Sequence, residues 1–209
     1  MKLTPEKIKI VDDFLINQNI KYLDIRSELL DHLVTEFEEH SNYGLLEDYL
    51  HGKIKFIKEF AKKQQKTIHW TYQKQLWVQF AKFFFELKYI LLLAVLISLG
   101  YVLLQYVTLK TFTFVCFFFL AALVLYPLFY QIKYSKAVKK VQSMQSLFTV
   151  TSLPSVFLYM FNVVNDILIE NFVLGLIYFS FAIVLGISAV IIIEKDRKRV
   201  LKKYYQLIG

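Results

Sequence analysis

Four uninterrupted apolar stretches decide what this chain can become. They cover about Tyr89–Val107, Thr111–Ile132, Ser146–Asn165 and Asn171–Ile193, and no Asp, Glu, His, Lys or Arg falls inside any of them. A hydrocarbon core about 30 Å thick is crossed by a helix of roughly 20 apolar residues. In water even a well-packed helix keeps a polar face, and these stretches have none. In lipid a helix satisfies its own backbone groups, and an apolar surface all round is the right one. The sequence therefore predicts an all-α integral membrane protein: a small cytoplasmic helical N-terminal module followed by a bundle of four transmembrane helices.

The flanking charges set the orientation. Lys74, Lys82 and Lys88 precede the first span. Lys133, Lys136, Lys139 and Lys140 separate the second from the third, and Lys195, Arg197, Lys198, Arg199, Lys202 and Lys203 follow the fourth. The other two connections carry only Lys110 on one side and Asp166 and Glu170 on the other. The positive-inside rule puts the basic segments, and with them both termini, in the cytoplasm of a bacterial inner (plasma) membrane. Anionic lipids of the inner leaflet are the expected partners of these cations. A direct nucleic-acid partner is not expected, because the cations lie beside the spans and are not gathered on a soluble face. The net charge of +8 arises there too, since residues 1–88 hold 14 basic and 13 acidic groups.

Composition narrows the rest. With 6 Gly and 3 Pro the chain has little turn chemistry and no low-complexity linker. Its single cysteine, Cys116, excludes an internal disulfide and a paired-cysteine metal site. Met1–Glu6 has no apolar core of a leader, so insertion is expected to be directed by the later helices.

Ahead of the spans the pattern is amphipathic. Thr4-Pro5-Glu6 reads as an N-cap, a first-position proline and an acid in the first turn, with Ile8, Val11, Phe14 and Leu15 at helical spacing behind them. A second helix is expected from Asp24, with Ile25, Leu29, Leu33 and Phe37 in one stripe. Ser41-Asn42-Tyr43-Gly44 reads as a stop, and a third helix follows from Leu45. Residues 1–67 are expected to form the module and 68–88 an interfacial helix rich in Trp, Phe and Lys. Residues 89–193 make the four spans and 194–209 a basic tail.

The run Tyr22-Leu23-Asp24-Ile25-Arg26-Ser27-Glu28-Leu29-Leu30-Asp31-His32 resembles the N-terminal helical segment of small membrane proteins of Bacteroidetes-type bacteria. It is similar, more loosely, to helical signalling domains associated with PadR-type regulators. The resemblance implies a cytoplasmic helical module on a membrane anchor, linked to a transcriptional regulator in the cytosol; it does not imply an enzyme.

Chemistry has few footholds. Glu28, His32 and Glu36 fall at i, i+4 and i+8 on one helix face, a spacing open to a divalent metal, but a solvated polar stripe accounts for it better. No metal and no cofactor is expected, and no catalytic set. Mid-span serines such as Ser98, Ser180 and Ser188 have no base beside them in the pattern. Ala94 with Ser98, and Ala182 with Gly186, are small pairs four apart that suit close helix packing, within the bundle or in a homo-oligomer. The first functional expectation is a non-enzymatic signalling or scaffold protein of the inner membrane. Its module binds a cytosolic partner through Ile25, Leu29, Leu33 and Phe37. The alternatives are a small transporter or permease subunit, with Asn162 and Asn165 lining a path, and a membrane enzyme acting on lipid.

Overall fold

The computed structural model describes residues 2–39 and 45–208. Among them every regular element is helical. Four helical stretches are long and apolar enough to cross a membrane: Leu87–Tyr106, Leu109–Lys133, Gln142–Glu170 and Phe172–Ile208. The expected stop at Ser41–Gly44 lies outside the described residues. The chain divides into two compact units: Met1–Trp70 with Lys136–Ser146 and Arg199–Gly209, and Thr71–Ser135 with Leu147–Lys198.

In the first unit, α1 spans Pro5–Asn17. Thr4 caps it, its hydroxyl accepting from the Lys7 amide. It ends where Asn19 takes a left-handed conformation (φ 64°), which Asn tolerates better than most residues. The Ile20 amide reaches back to the Leu15 carbonyl, and Ile20 folds into the core behind it. α2 spans Leu23–Glu39 and α3 Leu46–Gly52. Lys53 turns the chain into α4, Ile54–Phe85. The core of this unit is Val11, Leu15, Ile20, Ile25, Leu29, Leu33, Tyr49, Leu50, Ile57 and Ala61. α1, α2, α3 and the start of α4 each supply it from one face, so none of these four buries its apolar face alone.

α4 runs 32 residues without a break at residue 67. In the second unit its later part buries Tyr72, Leu76 and Phe83 and exposes Trp77 and Phe84 on another face. Phe80 meets Phe181, a residue within the fourth apolar stretch, with ring centroids 4.9 Å apart. α4 ends at Phe85, and Glu86 in an extended conformation starts α5, Leu87–Tyr106. Thr108 caps α6, Leu109–Lys133. α7 is Ser135–Lys140 and α8 Gln142–Phe148. A tight 3-10 turn at Thr149–Thr151 leads into α9, Ser152–Glu170, three residues ahead of Pro154. Proline has no amide to donate and clashes with the carbonyl four residues back, so a tightened turn here is where the ring fits. α10, Phe172–Ile208, continues well past Ile193 through the basic segment.

The spans meet through rings and small residues. Phe117 of α6 stacks on Phe161 of α9 at 4.6 Å, and Phe161 touches Phe179 of α10. Ala182 and Gly186 are buried on α10, and a Cβ on Gly186 would sit 3.0 Å from Leu123 Cδ1 of α6. α5 differs: none of its residues is buried.

Candidate functional site

The feature that joins distant parts of the chain is the carboxylate of Asp24. It sits in the first turn of α2, only 4% exposed. Oδ1 accepts from the Gln142 amide at 3.0 Å. Oδ2 accepts from the Ser143 amide at 3.0 Å and from the Ser143 hydroxyl at 2.7 Å. These two amides open α8, whose first N–H groups have no partner within their own helix. Asp24 therefore caps α8 from 118 residues away, with its negative charge at the positive end of the helix. Beside it, the Tyr22 hydroxyl donates to Gln145 Oε1. The Gln142 side chain donates from Nε2 to Ser146 Oγ at 3.0 Å. With the Ile25 amide also donating to Oδ1 at 3.2 Å, the buried charge is held by four donors and is satisfied.

The rest of the same motif is distributed around this point. Arg26 pairs with Asp12 of α1 at 2.8 Å. Ile25, Leu29 and Leu33 are fully buried in the core of their own unit, and Phe37 packs half-buried against it. Those three side chains hold α2 in place. Glu28 accepts from Gln64 Nε2 at 2.6 Å. His32 lays its ring edge-on to Phe56 and Phe60. Glu36 pairs with Lys53 and accepts from the Tyr49 hydroxyl at 3.1 Å. The three side chains of the i, i+4, i+8 set thus turn to separate neighbours. No group of three or more His, Cys, Asp and Glu among the described residues is arranged to hold a metal ion.

A second polar cluster lies where α6 and α10 meet in the other unit. The Tyr126 hydroxyl donates to Glu194 Oε1 at 2.5 Å, and Arg197 pairs with Glu194 Oε2 at 3.0 Å. The Arg197 guanidinium lies over the Tyr130 ring, 3.9 Å from its centre. A planar cation between a carboxylate and an aromatic face is a strong, directional clamp. At the start of α5, Glu86 takes the Lys82 ammonium at 2.8 Å and, through that hydrogen bond and its charge, holds it above the usual lysine value.

The small pairs part company. Gly186 is packed against α6 and Ala182 is buried on α10, while Ala94 and Ser98 are exposed, with the Ser98 hydroxyl returned to the Ala94 carbonyl. Asn162 is exposed and Asn165 half-buried on α9. Between α5, α6 and α10 is a cavity of about 210 Å³, lined by apolar groups such as Leu96, Phe112 and Phe179 and by Cys116 and Ser180. Among the described residues no Asp, Glu, His or Lys lines it.

Sequence pattern marks Asp24 as a helix start and as one of several acids, with nothing to reveal its donors at residues 142 and 143. Among the described residues the fold is all-helical, with four helices long and apolar enough to cross a membrane and a compact N-terminal unit in which Asp24 is bonded to the segment that opens the third of them. Comparison with protein-family models, with curated proteins and with solved structures finds no match to this chain.

Proposed function

We propose that this is a non-enzymatic signalling or scaffold protein of a bacterial inner membrane, in which the N-terminal helices receive a cytosolic partner and pass its effect to the third span. The observation that carries this reading is Asp24, a buried carboxylate on α2 that caps the helix opening the third apolar stretch. A partner that shifts α2 removes the cap, and the cost falls on the first turn of α8. A conformational signal needs such an element with two states of different energy.

The topology goes with it. The N-terminal helices, the basic segment between the second and third spans and the end of the tail share one compact unit. That grouping supports one side for all three, and their lysines support the cytoplasmic side. Anionic inner-leaflet lipids are the proposed counter-charges for Lys136, Lys139 and Lys140.

Affinity isolation of the full chain from native membranes in mild detergent tests the reading. A specific cytosolic protein is expected to accompany the wild type and to bind differently to Asp24→Asn. Recovery of the same background proteins with and without residues 1–65 would defeat it. Reconstituted vesicles are expected to show no solute flux above protein-free controls, which separates this reading from a transporter.

A further inference from the structure

The first 88 residues are nearly neutral in total, yet the fold sorts their charge. On α2, Glu28, Asp31 and Glu39 are exposed at spacings of three and eight, an outward stripe that runs along one side of the buried Ile25, Leu29 and Leu33. On α4, Lys55, Lys58, Lys62 and Lys66 are exposed at spacings of three, four and four, with Lys63 beside them and Glu59 as the one acid in the whole helix. None of these lysines is in an ion pair among the described residues.

The register of the two helices adds a geometric condition. Glu28 bonds Gln64, and Glu36 bonds Lys53, one residue before α4. α2 and α4 therefore lie side by side and antiparallel, with Glu28 level with Gln64. Lys62 and Lys66 flank that level, and Asp31 falls at the level between Lys58 and Lys62.

We propose that the α2/α4 face is a homodimer interface, on which the acidic stripe of one copy meets the basic stripe of a second copy, and the reverse. Membrane insertion gives every copy the same orientation, so a two-fold axis runs along the membrane normal, and this is all the inference takes from the functional reading above. Where such an axis runs along the two helices, each residue keeps its level. Glu28 of one copy then comes to Lys62 and Lys66 of the other, and Asp31 to Lys58 and Lys62. The interface is self-complementary, as a two-fold contact must be. Each exposed pair contributes little, but several pairs made twice, between molecules confined to one plane, add up and set the partner choice.

The test uses the full chain in lipid nanodiscs and vesicles. Light- and heavy-isotope chains are mixed and treated with a zero-length carbodiimide, which joins carboxylates to amines in direct contact. Mixed-isotope links from Glu28 or Asp31 to Lys58, Lys62 or Lys66 are expected, together with a dimeric mass. Lys58→Glu/Lys62→Glu is expected to weaken self-association about tenfold or more, and so is Glu28→Lys/Asp31→Lys. Mixing the two variants is expected to restore the dimer, which misfolded protein cannot do. A monomeric wild type, links confined to one isotope, or a dimer indifferent to charge reversal overturns the proposal. So does a monomer that takes up poly-glutamate on the lysine stripe, since the occupant would then be a soluble acidic chain. The poly-glutamate outcome would leave the cytosolic-partner reading standing while this proposal fails, and the other outcomes do not bear on that reading.

Discussion

At the scale of single residues, Asp24 concentrates the most consequence in the fewest atoms. Asp24→Ala leaves the amides of Gln142 and Ser143 and the Ser143 hydroxyl without their acceptor. The expected loss is about 1–3 kcal/mol. Amide exchange at residues 142–145 is expected to quicken more than exchange in α6. Asp24→Asn keeps one oxygen and is expected to fall between. Two glycines make a contrasting pair. A methyl on Gly186 meets Leu123 Cδ1 at 3.0 Å and its Cβ at 3.3 Å, whereas Gly52 has nothing within 4 Å. Gly186→Val is expected to lower the melting temperature in detergent by several degrees. Gly52→Ala, at the end of α3, is expected to raise stability by up to about 1 kcal/mol. An equal response at the two sites would contradict the close approach of α10 to α6.

At the scale of elements, the tail of α10 is a structural part of the first unit. Val200 and Tyr204 are buried there, although the sequence reads as a basic, solvated end. A chain stopped after Lys198 is expected to become more open to proteolysis within residues 5–70, while its four spans still insert. What was legible in the sequence follows from which solvent each element meets. The four spans stand out because lipid demands apolar groups on every face, and that leaves an unbroken signal. α1 and the stripe Ile25, Leu29, Leu33 are readable from spacing, since one side of each faces a core. α4 is not: it carries Lys on one stretch and Trp and Phe on the next, so composition changes near residue 67 while the helix does not. The cap on α8 is invisible for a different reason. A carboxylate selects its amide partners by tertiary geometry, and backbone amides leave no trace in side-chain pattern.

At the scale of the whole molecule, the prediction concerns sidedness. With Cys116 replaced by Ala, single cysteines at exposed Asp31, Lys139 and Lys203 are expected to react from the same side of sealed membranes. One at exposed Lys110 is expected to react from the other. Labelling of Asp31 and Lys139 from opposite sides would break the first unit apart, because its α2 is bonded directly to residues 142–145.

That bond also imposes a timetable on synthesis. The carboxylate at position 24 is made early, but the amides it needs emerge from the ribosome more than a hundred residues later, after two hydrophobic segments have already entered the bilayer. Until then the young amino-terminal helices lack their final brace, and they gain it only once the first half of the spans is in place. Arrested nascent chains ending before residue 135 should be cut by protease near α2 more readily than chains arrested beyond 190, in which residues 142–145 have left the ribosome. The polypeptide would in this way hold back its own amino-terminal unit until insertion is under way.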